Sequence, residues 1–173
     1  MPLSDTHTLQ NNFKLSKWFI IICLALLALY PIYKNFYYSQ AHLTYERHIA
    51  VIEKRSEFYN PWQYRVLMPY INQGLFWLYN HSIDKIYPIE QKINFNFHKT
   101  SGTVEQTDQF LKLMQTPGAA RYMIIFILVR WALNFLILLL AWRLWRHFIK
   151  SDWLALLGVN FIALAMGNAV AIA

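Results

Sequence analysis

The chain has 173 residues, 57% of them hydrophobic and only 14% charged, whereas soluble domains carry about 25% charged residues. Because the apolar residues are concentrated in blocks, the composition excludes an ordinary soluble domain and indicates a membrane protein. The net charge of +7 is attributed to membrane topology and anionic headgroups, since no basic run lies away from the apolar segments, which argues against nucleic-acid binding.

The first apolar block follows a polar stretch at 1–17, which is predicted to be a cytoplasmic tail. Residues 18–38 begin with "WFIIICLALLALYPIY" and are predicted to form transmembrane helix 1, with Trp18 and the aromatic residues at 33–38 as interface anchors. A cleaved signal peptide is the rival interpretation. It requires small residues at a cleavage site after the apolar run, and Ala28-Leu29-Tyr30 does not supply them. We therefore expect an uncleaved anchor.

Residues 39–121 are predicted to form a long outer loop that contains amphipathic interfacial helices. Tyr45, Ile49 and Ile52 follow an i, i+4, i+7 spacing with charged residues off that stripe, a pattern typical of a helix that lies flat at an interface. A second segment repeats apolar residues at intervals of three and four, and a third begins with a capping box at Thr103. The three helices are predicted at 42–58, 66–80 and 103–115.

Two further apolar blocks complete the chain. Residues 122–142 are predicted to form transmembrane helix 2, residues 143–152 a basic cytoplasmic connector, and residues 153–173 transmembrane helix 3. The lysines and arginines beside the spans predict a multi-pass protein with its N-terminus in the cytoplasm. The predicted fold class is an all-α integral membrane protein with three transmembrane helices, and we expect it to be the amino-terminal part of a larger helical bundle.

Arg130 lies near the middle of the second predicted span. A charge at that depth costs at least about 2.5–3.5 kcal/mol, so the side chain is expected to face protein or water. Asn134 is one turn further on and shares its face. Either Arg130 pairs structurally with another helix, or it binds substrate or a lipid phosphate. Because the three predicted spans contain no acid, its partner is expected in the outer loop, in a further helix or in a ligand.

Acidic residues in the outer loop supply candidates for a catalytic base. Glu46 and Glu57 lie on or beside the first amphipathic helix, close to an aromatic turn, although each can equally be a solvated surface charge. His42 and His48 are six residues apart, which does not place them on one helical face. No metal site made of protein ligands is therefore predicted.

The stretch "NPWQYRVLMPYI", residues 60–71, combines a proline turn with aromatic residues and one arginine. Arg65 can bind a phosphate through two hydrogen bonds, and Trp62 and Tyr64 can stack on a sugar. The alternative interpretation is an interfacial aromatic belt with a snorkelling arginine.

Within this stretch a P-x-Q-Y-R-x-L-x-P pattern resembles that of bacterial membrane glycosyltransferases of the GT-C type, which use polyprenyl-phosphate sugars. The matching residues are Pro61, Gln63, Tyr64, Arg65, Leu67 and Pro69. The resemblance extends in layout over roughly residues 18–142. It implies transfer of a sugar from a lipid-phosphate donor at the outer face, a polyprenyl-phosphate sugar as ligand, and a divalent cation that accompanies the donor rather than a cofactor held by the protein.

The resemblance also implies roles for particular residues. GT-C enzymes carry a catalytic acid in the first outer loop, and since no Asp lies between residues 6 and 83, Glu57 or Glu46 takes that role. The implied substrate-binding residues are Arg65, Trp62, Tyr64 and Arg130. GT-C enzymes are far longer than 173 residues, so the chain alone is not expected to be active.

A second hypothesis is a non-catalytic membrane scaffold or accessory subunit. Ala163 and Gly167 have the small-xxx-small spacing that lets helices approach closely, and Asn160 can hydrogen bond across such a contact. In this hypothesis the third span packs on a larger membrane protein, and Arg130 pairs across the interface.

Overall fold

The computed structural model describes residues 15–38, 41–55, 67–86, 88 and 112–172. All regular structure in these ranges is helical, without a strand, which confirms the predicted helical class. The helices are α1 (Lys17–Leu27), α2 (Tyr30–Tyr38), α3 (Ala41–Ile52), α4 (Leu67–Ser82), α5 (Ala119–Phe148) and α6 (Asp152–Ile172).

The first predicted span is broken between α1 and α2. Pro31 has no N–H and cannot bond to the carbonyl of Leu27, so a regular helix cannot pass through this point. The Leu29 amide donates instead to the Leu26 carbonyl at 3.1 Å, a tighter turn of the 3₁₀ type. The sequence predicts one helix over 18–38, and the structure divides it into two because of this proline.

Helix α5 supplies hydrogen bonds to carbonyl groups at the break. Trp131 Nε1 donates to the Ala25 carbonyl at 2.9 Å, and Asn134 Nδ2 donates to the Ala28 carbonyl at 3.2 Å. A buried carbonyl without a donor costs free energy comparable to a lost hydrogen bond. The two side chains of α5 therefore stabilise the bent form of α1–α2.

Helix α6 runs parallel to α1–α2. At one end, the Leu15 amide donates to Asp152 Oδ2 at 3.0 Å, and Arg146 of α5 reaches the other oxygen of the same carboxylate at 3.1 Å. At the opposite end Gly167 lies against Tyr30, so closely that a Cβ at Gly167 would be 2.5 Å from the Tyr30 ring. A glycine is what allows α2 and α6 to approach to this distance.

A small apolar core joins α1, α5 and α6. Its buried members are Ile20, Leu24, Ala28, Leu138, Val159 and Ala163. Ala163 is predicted to lie in a contact between helices. In the structure its contact surface is covered by residues of the same chain. Partly buried apolar side chains surround this core, whereas many other large apolar side chains of the three helices are exposed.

Two helical segments are long and apolar enough to cross a membrane, namely Lys17–Phe36, which includes the break, and Ala119–Phe148. The stretch Asp152–Asn168 of α6 is apolar but shorter. Only 33% and 28% of the most apolar windows of the two long segments are buried inside the protein. Their outer surfaces carry large exposed apolar side chains, on α5 for example Leu128, Leu133, Leu136, Ile137, Leu140 and Leu144.

The helix bounds differ from the predicted ones mainly around α5. It has 30 residues and continues through six of the ten residues of the predicted 143–152 connector, because no breaker occurs before Ile149, which is extended at φ −116° and ψ 118°. Helices α3 and α4 overlap the segments 42–58 and 66–80 where interfacial helices are predicted, although α3 begins one residue earlier and α4 ends two residues later. Of the third predicted helix, 103–115, only residues 112–115 lie in the described part of the chain.

Candidate functional site

Helices α3 and α4 pack against the first half of α5 around an aromatic and polar group of side chains. We call it the His48 cluster. Its members are Tyr45 and His48 of α3, Asn72 and Phe76 of α4, and Tyr122 and Phe126 of α5.

His48 lies at the centre of this cluster. Its Nδ1 and the Tyr122 hydroxyl share a hydrogen bond of 2.9 Å, and its ring meets the Phe126 ring edge to face at 5.6 Å. Tyr45 makes a similar edge contact with Tyr122 at 5.3 Å. Edge-to-face geometry is the favoured arrangement of aromatic rings, so α3 is held on α5 by specific contacts.

The electrostatics of the cluster keep His48 uncharged. Burial lowers the pKa of the His48 imidazole from its ordinary 6.5 to about 4, and the positive charge of Arg130 acts in the same direction. At neutral pH the cluster therefore contains a neutral imidazole that lies within electrostatic range of the Arg130 guanidinium.

Helical spacing explains why these side chains meet. Tyr45 and His48 are three residues apart on α3 and share a face. Tyr122, Phe126, Arg130 and Asn134 follow at steps of four along α5, which forms a second continuous face. The sequence places an arginine and an asparagine on the face of α5 that other helices cover, rather than on its exposed apolar face.

Arg121 fastens the end of α4 to the start of α5. Its Nη1 donates to Asn80 Oδ1 at 3.1 Å and to Asp84 Oδ2 at 2.9 Å. The guanidinium also lies 5.9 Å from the centre of the Phe76 ring. These contacts fix α4, and with it Asn72 and Phe76, beside Tyr122.

Asn72 is the most enclosed polar residue of the cluster, with an exposed fraction of 0%. It lies near the Tyr122 hydroxyl without reaching hydrogen-bond geometry, and its amide makes no hydrogen bond within the described part of the chain. Buried amides are normally bonded. This amide is therefore available for a polar contact with a water molecule or a ligand.

Two of the six predicted site residues, Arg130 and Glu46, lie in the described part of the chain, on different helices. Arg130 follows Tyr122 and Phe126 on the covered face of α5, close enough for its charge to lower the pKa of His48. Glu46 is exposed on α3, whereas Tyr45 and His48 of the same helix contact α5. The other four predicted residues, Glu57, Trp62, Tyr64 and Arg65, lie outside the described residues.

Sequence reasoning missed His48, Tyr122 and Asn72. A signal for His48 was present, because it lies three residues after Tyr45 on the buried side of α3. Tyr122 stands at the start of an apolar run, where the sequence suggests an interface anchor rather than a hydrogen-bond partner. Asn72 interrupts the apolar face of α4, and an amide in that position is a sign of a polar contact.

The described ranges contain no group of three or more His, Cys, Asp or Glu side chains that could hold a metal ion. Comparison of the chain with protein-family models, with curated proteins and with solved structures gives no match.

Proposed function

We propose that the chain is an integral membrane protein that crosses the bilayer through α1–α2, α5 and α6. The support comes from the apolar side chains that point outward from these helices. Exposure of apolar surface to water costs about 25 cal/mol per Å², whereas a bilayer removes this cost. Helix α5 has 30 residues and a length of about 45 Å, which exceeds the roughly 30 Å of a hydrocarbon core.

We propose the bacterial inner membrane, with the N-terminus and the α5–α6 connector in the cytoplasm and with α3 and α4 at the outer face. Arg143, Arg146 and Lys150 flank the membrane at the connector, which favours the cytoplasm for that end. Because α5 and α6 form a hairpin and α6 runs parallel to α1–α2, the three segments fit this orientation.

Labelling of single cysteines with a membrane-impermeant maleimide tests this topology. In a Cys23→Ser background, Lys85→Cys is expected to react in intact spheroplasts and Lys150→Cys only after permeabilisation. Both positions are exposed in the protein, so labelling of both without permeabilisation would contradict three spans. Labelling in the reverse order would contradict the orientation.

We further propose that the protein is part of a GT-C-like glycosyltransferase that acts on a lipid-phosphate-linked sugar at the outer face. The observation that carries this proposal is Arg130, a cation on the covered face of α5 whose charge acts on an imidazole that stays neutral. Arg130 is 11 residues, or about 17 Å, from the first residue of α5. A lipid phosphate that enters from the outer leaflet can approach such a depth.

The proposed reaction assigns a role to each candidate. The bond between the sugar C1 and the donor phosphate breaks, a bond between C1 and an acceptor hydroxyl oxygen forms, and the hydroxyl proton passes to Glu57 or Glu46. Arg130 and Arg65 stabilise the charge on the departing polyprenyl phosphate, and Trp62 and Tyr64 line the path of the sugar or lipid. A divalent cation that arrives with the donor would share the phosphate charge.

Sugar transfer measured in membranes tests the assignment, with each substitution introduced into the chromosomal copy. Arg130→Gln is expected to reduce transfer by about a hundredfold, as the loss of one preorganised charge contact does in other enzymes. Its abundance should not fall, because an uncharged side chain is inserted more readily at that depth. Arg65→Ala and Glu57→Gln are expected to reduce transfer as well.

Arg143→Gln is the matched control, since it removes the same charge from the exposed opposite end of α5. Unchanged transfer in Arg130→Gln, Arg65→Ala and Glu57→Gln would refute the residue roles. That result would favour the scaffold alternative. A partner protein could not pack on Ala163 and Gly167, however, because α1 and α2 of the same chain cover them.

A further inference from the structure

A group of exposed cations lies at the end of the bundle where α5 ends and α6 and α1 begin. We call it the basic end, and its members are Lys17, Arg143, Arg146 and Lys150. The contacts of Asp152 with both the Leu15 amide and Arg146 bring the start of α1 to this end. Residues that are far apart in the sequence therefore form one charged rim.

Arg146 differs from the other cations because its bonds are within the protein. Its Nη1 donates to the carbonyls of Ile149 and Lys150 and contacts Asp152. These bonds satisfy carbonyl groups at the C-terminal end of α5 and neutralise the acid of this end. Within the described part of the chain, Lys17, Arg143 and Lys150 form no ion pair with an acid, and their side chains are exposed.

Large aromatic side chains lie at the same level as the cations. Trp18, Trp145, Phe148 and Trp153 are all exposed there, with Trp18 75% accessible. Tryptophan side chains with an exposed indole are typical of the boundary between headgroups and hydrocarbon. A soluble anion would match the charges of this end but would leave the aromatic surface in water.

We infer that the basic end binds the headgroup of an anionic phospholipid. The phosphate accepts hydrogen bonds from Lys17, Arg143 and Lys150, while the neighbouring aromatic rings pack on the glycerol and the upper acyl chains. The negative headgroup complements the excess of positive charge that remains after Asp152 has paired with Arg146. The inference rests on the proposed membrane insertion.

The test uses nanodiscs of phosphatidylcholine alone, or of phosphatidylcholine mixed equally with phosphatidylglycerol, followed by native mass spectrometry of the released protein. The wild-type chain is expected to retain phosphatidylglycerol in preference to phosphatidylcholine. Arg143→Gln/Lys150→Gln is expected to bind phosphatidylglycerol about thirtyfold more weakly, the change that corresponds to two cations at roughly 1 kcal/mol each.

Lys85→Gln/Lys112→Gln is the matched control, since it removes the same charge from exposed positions outside the basic end. Retention that is equal for both lipids, or that falls equally in the two double variants, would overturn the inference. Incorporation into both kinds of nanodisc without a lipid preference leaves the membrane proposal intact. Failure of the wild-type chain to incorporate into either kind rejects the membrane proposal itself, and the lipid site with it.

Discussion

His48 is kept neutral by two effects that act together, burial against Phe126 and the charge of Arg130. In the unfolded chain its pKa returns to about 6.5, so the unfolded state binds a proton first as the pH falls. Titration of His48 therefore leaves the free energy of unfolding unchanged above pH 6.5 and decreases it as the pH falls toward about 4.

The first prediction concerns this pH dependence. The loss of unfolding free energy that His48 causes on acidification is up to about 3 kcal/mol, since one pKa unit corresponds to about 1.4 kcal/mol. The His48→Gln variant, which keeps a hydrogen-bonding group for Tyr122, is expected to lose stability less steeply on acidification than the wild type. Thermal unfolding in detergent at a series of pH values measures the difference. His147→Gln removes an exposed histidine and should retain the wild-type slope. A His48→Gln slope equal to that of the wild type would contradict the account.

At the element scale, close approach between helices depends on where a glycine lies. Gly167 of α6 lies against the Tyr30 ring, with no space for a methyl group. Gly158 meets Trp145 of α5, where a Cβ would be 3.2 Å from the indole. Gly74 of α4 has nothing within 4 Å of the Cβ position. The three glycines form a graded series of helix contacts.

The second prediction uses this series. Gly167→Ala is expected to destabilise the protein by about 1–3 kcal/mol, the usual cost of overpacking, because the Tyr30 ring must move. Gly74→Ala should be neutral or stabilising by up to about 1 kcal/mol, since alanine is the better helix former. Gly158→Ala should fall between them. Midpoints of thermal unfolding rank the variants, and a Gly167→Ala protein as stable as Gly74→Ala would disprove the tight contact.

The third prediction concerns the attachment of α4 to α5. Asp84→Ala removes an acceptor of Arg121 from a pair whose side chains are only 19% and 30% exposed. We expect faster hydrogen exchange in α4 by several-fold, because the end of that helix loses its link to α5. The Glu53–Arg55 pair is 46% and 72% exposed, and exposed pairs contribute little. Glu53→Ala therefore serves as the control, and equal exchange in the two variants would contradict the proposed link.

At the scale of the whole molecule, the helical class and the apolar blocks could be predicted from composition and periodicity. The covered position of Arg130 could also be anticipated, since an arginine in an apolar helix must avoid hydrocarbon. Pro31 is a local signal for a break in the first helix. The hydrogen bonds that stabilise the broken form come from Trp131 and Asn134, more than a hundred residues away in the sequence. The meeting of His48 with Tyr122 likewise depends on helix packing that local patterns do not encode.

The fourth prediction tests the parallel arrangement of α1 and α6. The rings of Phe19 and Trp153 are 6.3 Å apart. In a Cys23→Ser background, Phe19→Cys/Trp153→Cys is expected to be cross-linked by a short bismaleimide. Phe19→Cys/Met166→Cys should not react, because Met166 lies about 20 Å further along α6. Gel mobility after proteolysis between the two positions detects the cross-link, and preferential reaction of the second pair would reverse the direction of α6.

The bend at Pro31 also sets an order of events during synthesis. The carbonyl of Ala25 leaves the ribosome 106 residues before the indole that binds it. At about 5–20 residues per second this interval lasts about 5–20 s. Throughout that time the Ala25 carbonyl can accept a hydrogen bond only from water or from another donor. The break between α1 and α2 therefore needs a polar environment until α5 arrives. The hydrogen bonds that stabilise the bend between α1 and α2 therefore form only after α5 has been synthesised.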